Sequence, residues 1–432
     1  MYRIVAFLNR KDYSLSEYLF LNYYWILTFG GIIAIFANVG WFSGLLIPLL
    51  IYVLWFKSAR KPVLSYSVLD ILWLFSFIWS ILTWLFNSYP NQGILISYCF
   101  SEQLSYMFIY WVVRKNQKIN VDTIIRTSYV PFIITCVLGI YLYYAEPAWY
   151  VAKTADYSTD FEEWEFKRLR SILDGYTIAY YIAIVIIFEF FLYAKNVIDS
   201  KSYFNIKVLS NRNLHFIMLL IASFALFLGI QRSAIVSIAL GFCIAVYYSF
   251  KYTKLANLSK MYVLIAFSIV TCIFSIAHMS DAQKLFYLNK VDSFTQSGSD
   301  LAKERLVLNK HKRTYEFMGD GVGRHNMYAD KFNPRTSMRD GEYMKILTEQ
   351  GYGGAFILAL IAFYSLAKCL KNFRYLSFEL SIMLMLLISM IGANPISTFD
   401  KHPIIYWMVL AQIANFKKNN KYATNFNNNR YL

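Results

Sequence analysis

The chain has 432 residues, of which 58% are hydrophobic and 19% aromatic, and it carries a formal net charge of +16. A soluble domain is usually about 45 to 50% apolar, so this composition excludes an ordinary soluble protein and points to a polytopic membrane protein. The positive balance is then explained by Lys and Arg gathering in cytoplasmic loops, with no nucleic-acid partner needed. The five cysteines (Cys99, Cys136, Cys243, Cys272, Cys369) fall inside apolar stretches without paired spacing, which predicts neither a disulfide framework nor a zinc site.

The opening residues, MYRIVAFLNRKDYSLSEY, hold a short apolar patch without a small-residue cleavage site and read as a retained cytoplasmic lead-in. A bilayer core needs about 20 mainly apolar residues per helix. Twelve stretches qualify: 18–37, 39–56, 67–87, 93–113, 124–145, 176–194, 213–230, 233–250, 261–279, 351–370, 377–393 and 403–416. The expected fold is all-α, a single integral-membrane domain over residues 1–432 with about twelve transmembrane helices.

With the N-terminus cytoplasmic, one set of boundaries collects the cations: Arg10 and Lys11, then Lys57 and Lys61, Arg114 and Lys115, Lys195 and Lys201. Lys251 and Lys254 continue the set, with Lys368, Lys371 and Arg374, and finally Lys417 and Lys418. This is the positive-inside pattern, and it puts both termini in the cytoplasm. The other side has short turns apart from two loops, 146–175 and 280–350, which hold four and twelve Lys or Arg residues, sixteen of the 42 in the chain. Long loops are exported regardless of charge. Their cations serve either a solvated surface paired with the loops' own acids or an anionic ligand.

The larger loop carries the densest chemistry. A run of cations (Arg305, Lys310, Lys312, Arg313, Arg324, Arg335, Arg339) surrounds the glycine-rich turn Gly319-Asp320-Gly321-Val322-Gly323. Ser299-Asp300 reads as a helix start, and Leu301, Leu308 and Tyr315 form a stripe that can lie on a membrane surface. The glycines would end that helix, and their amides are candidates for an anion-binding nest. Asp340 is a candidate N-cap for a short helix, Glu342 to Gln350, leading into the next span past Gly351, Gly353 and Gly354.

Two arginines lie near apolar spans. Arg170 precedes the sixth span in FKRLRSILDGY, and Arg232 sits at a turn of almost no length in GIQRSAIVS. A guanidinium at membrane depth costs about 2.5 to 3.5 kcal/mol at the bilayer centre, so such residues are functional candidates, with snorkelling anchors as the plainer role. The carboxylates Asp70, Glu102 and Glu189 lie in or at the edges of spans without a basic partner at helical spacing; hydrogen bonding between helices accounts for Glu102 and Glu189 better than proton-coupled transport. The 10 tryptophans and 36 tyrosines read as interfacial belts. Of the five histidines only His311 and His325 fall in the outer loop, and no pair has metal-ligand spacing. The first outer turn, 37–41, carries no acidic residue, which argues against glycosyltransferases that hold a metal there.

Twelve spans, one large late outer loop, Arg232 in QRSAIVS, and a loop running into Glu349-Gln350-Gly351-Tyr352-Gly353-Gly354 together resemble the O-antigen polymerase and O-antigen ligase superfamily. The ligases place a His-Asn pair a fixed distance ahead of Gly-x-x-Gly. Here that distance from Gly351 falls on Asp340-Gly341, and His325-Asn326 lies farther upstream, a departure that leans toward polymerase. The resemblance implies an inner-membrane, metal-independent and cofactor-free polymerase that transfers a glycan from an undecaprenyl-diphosphate-linked donor to a lipid-linked acceptor hydroxyl. It further implies Asp340, His325 and Glu342 as catalytic candidates and Arg170, Arg232, Arg305 and Arg324 as ligands of the diphosphate. Its implied partners are the lipid-linked oligosaccharide, the bilayer and a chain-length regulator protein. An O-antigen ligase is the alternative in chemistry, and a lipid-linked oligosaccharide flippase the alternative from another class.

Overall fold

Lipid offers no partner to a bare backbone N–H or C=O, so a chain this apolar must satisfy its amides within helices or closed barrels. The computed structural model describes residues 13–37, 41–59, 61–63, 65–86, 104–145, 147–148, 175–194, 212–229, 232–252, 266, 317–322, 342–390 and 402–416. Among these, every regular element is a helix and there is no strand. In chain order they are α1 (Leu15–Leu21), α2 (Tyr23–Ala37), α3 (Trp41–Ala59), α4 (Val68–Leu85), α5 (Leu104–Lys115), α6 (Val121–Ala145) and α7 (Gly175–Ala194). They continue with α8 (Arg212–Gly229), α9 (Arg232–Tyr252), α10 (Glu342–Glu349), α11 (Gly351–Lys371), α12 (Phe373–Ser389) and α13 (His402–Asn415).

Each predicted stretch overlaps one of these helices except 261–279, of which only residue 266 is described; of 93–113 only 104–113 is described. The first is broken at Asn22, between α1 and α2. Among the described residues four helices, α4, α6, the α9 segment Ala234–Tyr252 and α11, are long and apolar enough to cross a membrane. The described part of the protein is therefore all-helical, and its apolar helices mark the protein as membrane-embedded. Most of the loops 146–175 and 280–350, and the expected helix start at Ser299, lie outside the described residues.

Two helices that are apolar on all sides form the interior. Residues 178–192 of α7 are buried on every face, enclosed by α6, α8, α9 and α12. Residues 403–411 of α13 are likewise buried, between α5, α12, α4 and α11. Helices at the periphery turn one apolar face outward: Ile71, Leu74, Phe75 and Ile78 on α4, and Phe356, Leu360 and Phe363 on α11. Only 28% of the α4 and α11 windows is buried, against 67% for α6. That spacing is one helical stripe, the face such a helix offers to lipid.

Six tyrosines depart from the belt expectation. Tyr23, Tyr24, Tyr106, Tyr110, Tyr181 and Tyr406 are buried, and Tyr24 stacks on Tyr181 with ring centroids 3.9 Å apart. Where the hydrophobic effect gives no preference between lipid and protein, flat rings and interhelical hydrogen bonds supply the contacts. Glu189 of α7 follows the expected pattern, accepting a hydrogen bond from Tyr129 of α6.

Proline shapes the α6 face. Pro131 lies inside the helix and has no N–H, so the carbonyl one turn back, that of Thr127, loses its donor. Trp25 of α2 supplies one, its Nε1 donating to Thr127 O at 3.2 Å. The Tyr181 hydroxyl of α7 donates to the next carbonyl, Ser128 O, at 2.6 Å. A defect in one helix thus becomes the attachment point for two others.

One end of the bundle is basic, and there the ends of α4, α5, α11 and α13 converge on Arg114. Its Nε and Nη2 donate to the two Asp70 oxygens at 2.8 and 2.7 Å, while its remaining N–H groups reach Asn415 Oδ1 and Ser65 O. Asp70 also accepts from Tyr110 Oη at 2.6 Å and, as the acidic member of a capping box with Ser67, from Ser67 N at 2.7 Å. Asp70 therefore finds its cation on a neighbouring helix. The pair is buried, with side-chain exposures of 0% and 5%. Lys368 of α11 donates to Ala414 O at 3.3 Å, adding the fourth helix end.

Removing one partner of a buried pair leaves the other charge stranded, at a cost of about 3 to 5 kcal/mol. Arg114→Ala is expected to destabilise the detergent-solubilised protein by that amount in thermal unfolding. Arg114→Lys, which keeps the charge without the fork, should recover only part of it; full stability in the Ala variant would contradict the assignment.

Candidate functional site

The opposite end of the bundle is organised by α10 and its junction with α11. Glu342 opens α10, where an acid complements the helix N-terminus. The helix stops when Gly351 takes φ +66°, a left-handed conformation suited to a residue without Cβ. α11 begins at once, so the chain has to change direction with the last carbonyls of α10 and the first amides of α11 unsatisfied.

Segment 317–322 resolves both ends. The amides of Asp320 and Gly321 donate to Thr348 O and Glu349 O, each at 2.7 Å, and Phe317 O accepts from Gly353 N at 3.1 Å. Trp79 of α4 donates its Nε1 to Gln350 O at 2.9 Å, and its ring meets Phe317 edge-on with centroids 5.2 Å apart. The glycines are needed for this closeness. A Cβ on Gly319, at φ +69°, would sit 2.4 Å from Gly351 N, and one on Gly353 would sit 2.2 Å from Trp79 Cζ2.

This corrects the expectation of an anion-binding nest at Asp320 and Gly321; Gly323, the last glycine of that turn, lies outside the described residues. The Asp320 and Gly321 amides are directed at helix carbonyls, because capping α10 answers a larger deficit than an open turn does. The expected helix from 342 is present as α10, with Gln350 as the turn residue after it.

Among the residues singled out for chemistry, Glu342 is described in full. It is 0% exposed at the first turn of α10 and shares that helix's inward face with Lys345, Thr348 and Glu349, all buried. Tyr406 of α13 lies within its electrostatic reach. Tyr343, one residue on, points to the other side and donates its hydroxyl to Leu387 O of α12 at 2.9 Å. Partial burial raises the Tyr343 phenol above its ordinary pKa. Arg232 is the first residue of α9, and its side chain lies outside what is described. Asp340, His325, Arg170, Arg305 and Arg324 lie outside the described residues.

The geometry nevertheless constrains where the central loop starts and finishes. Segment 317–322 is fastened to the last turn of α10 and Glu342 is its first residue. Eight residues of helix span ~12 Å. Residues 322 and 342, which bracket in the sequence the stretch holding Arg324, His325, Arg335, Arg339 and Asp340, therefore lie within about one short helix length of each other. The sequence reading missed Trp79 as a fixing point of this rim. A tryptophan facing a Gly-x-Gly-Gly pair was the available signal, and it is visible only once the two spans are known to touch.

Gly319→Ala and Gly353→Ala are each expected to destabilise by about 1 to 3 kcal/mol through overpacking. Gly229→Ala, with nothing within 4 Å of the added Cβ, should be neutral or slightly stabilising. Thermal unfolding of the three variants checks this contrast, and equal behaviour would refute the interlock. No protein-family model matches the chain, and no curated protein is significantly similar to it.

Proposed function

We propose that this protein is a polysaccharide polymerase of the cell's inner membrane, resembling O-antigen polymerases, with about twelve spans and both termini cytoplasmic. Its substrates are oligosaccharides carried on undecaprenyl diphosphate, and its reaction extends one lipid-linked glycan with another. The observation that carries this reading is the rim at α10. The described residues on either side of 323–341, a stretch whose sequence is rich in arginine with a histidine and an aspartate, are held at the two ends of one short helix, at the end of the bundle opposite the basic Arg114 end.

The chemistry asks three things of such a rim. The acceptor hydroxyl must be brought to the anomeric carbon of the donor sugar, its proton must be removed, and negative charge must be neutralised on the departing diphosphate. A new C–O bond forms to the acceptor oxygen while the bond from the anomeric carbon to the diphosphate oxygen breaks. The acceptor proton passes to the base, and the diphosphate leaves on its lipid.

Arg170, Arg232, Arg305 and Arg324 are assigned to the diphosphate because a planar guanidinium pairs two phosphate oxygens at once. Each charge-assisted bond is worth about 1.5 to 3 kcal/mol. Asp340 and His325 are the bases: the first follows from its place immediately ahead of α10, the second from an imidazole's affinity for protons near neutrality. Glu342, buried in the first turn of α10, positions that turn. A flippase reading is disfavoured because Asp70 and Arg114 are closed on each other and Glu189 is engaged by Tyr129, which leaves these charges committed to structure.

The deciding experiment deletes the gene and resolves surface polysaccharide by gel alongside the lipid-linked pool. Single repeats reaching the final anchor with the long ladder lost support polymerase. Long polymer held on the carrier would indicate ligase, and single repeats trapped inside would indicate flippase. In complementation, Arg232→Lys should lose about 10- to 100-fold in polymer output, close to Arg232→Ala. Unchanged output in both Asp340→Asn and His325→Ala would remove the proposed bases.

A further inference from the structure

Just beneath the rim, α4, α5, α10, α11 and α13 leave a cavity of about 30 Å³ whose lining includes Ser76, Ser80, Gln350, Gly354, Tyr406 and Trp407. On that measure one water needs about 10 to 15 Å³. The space fits roughly two waters and is too small for a sugar ring or an acyl chain.

Tyr406 and Trp407 are consecutive on α13 and are 0% and 4% exposed. The Tyr406 hydroxyl and the Trp407 Nε1 have no hydrogen-bond partner among the described residues. A buried donor left unmade carries its whole desolvation penalty, and buried polar groups in folded proteins are almost always satisfied by protein or water. Here two unsatisfied groups belong to residues lining one void of water size. Ser80 already donates to Ser76 O at 2.8 Å, and its hydroxyl oxygen keeps capacity to accept.

We propose that this cavity is a built water site, in which about two waters pair the Tyr406 hydroxyl and the Trp407 indole N–H and link α13 to Gln350 at the α10–α11 turn. None of its lining residues is Lys, Arg, Asp or Glu, so it takes neutral hydroxyl groups and does not compete for an anionic diphosphate. Its role is to hold the buried helix α13 in register with the rim. The inference stands independently of the polymerase reading, because it needs only the bundle.

The sign of one stability change tests it. A hydroxyl satisfied by water makes Tyr406→Phe destabilising, with an expected drop in Tm of about 1 to 2 °C for a chain of this size. In a dry cavity the same change removes an orphan donor and raises or leaves Tm. Radiolytic hydroxyl-radical labelling of the full chain in lipid nanodiscs gives a second readout, since trapped water generates the radical beside it. Modification of Tyr406 or Trp407 despite their burial is expected, with the exposed Tyr352 as the positive control. Modification of Tyr352 without either buried residue, or an unchanged or raised Tm in Tyr406→Phe, overturns the site.

Discussion

The Arg114 guanidinium ties together the ends of helices that pack along their lengths through apolar faces. Each of its three nitrogens donates, to Asp70, Asn415 and Ser65. Asp70 in turn starts α4 through its capping box and accepts from Tyr110. A buried ion pair between well-packed surfaces is often no better than an apolar replacement. Its value here lies in direction: a planar fork fits one arrangement of acceptors, so it selects which helix ends meet where greasy surfaces would slide past one another.

The same logic governs the backbone. Inside lipid each exposed carbonyl must find a donor, and this chain uses that requirement to specify contacts. Pro131 exposes the Thr127 carbonyl and Trp25 answers it; the α10–α11 turn exposes Thr348, Glu349 and Gln350 carbonyls, and Asp320, Gly321 and Trp79 answer those. Local breaks in helicity are thus where the tertiary structure is most strongly determined. The rim is built on such a break, and segment 317–322 is anchored to it.

The helical elements were legible because apolar length is a one-dimensional property. The stretches read at 67–87, 124–145, 176–194 and 351–370 lie over α4, α6, α7 and α11. The short helix after Asp340 was legible too, from an acid at its start and glycines at its end. Less legible was what the glycine loop does. Gly319-Asp320-Gly321 has the composition of an anion nest, and only the proximity of the α10 C-terminus redirects its amides inward. Likewise Asp70 carried no partner within its own span, since Arg114 is brought to it by the packing of α5 on α4.

By itself the sequence determined that the chain is helical and embedded in a membrane, where most of the described helices begin and end, and which end collects cations. These follow from hydrophobic length, capping residues and charge, all of which act between near neighbours. Only the tertiary structure decided which apolar faces meet protein and which are left for lipid, because α4 and α7 are similarly greasy yet α7 is enclosed by other helices while α4 turns a face outward. It also decided the Arg114–Asp70 lock, the Trp79 bond across to Gln350 and the small polar cavity beside Tyr406. Each of these joins residues far apart in the chain, and their pairing depends on helix rotation and depth, which hydropathy leaves open.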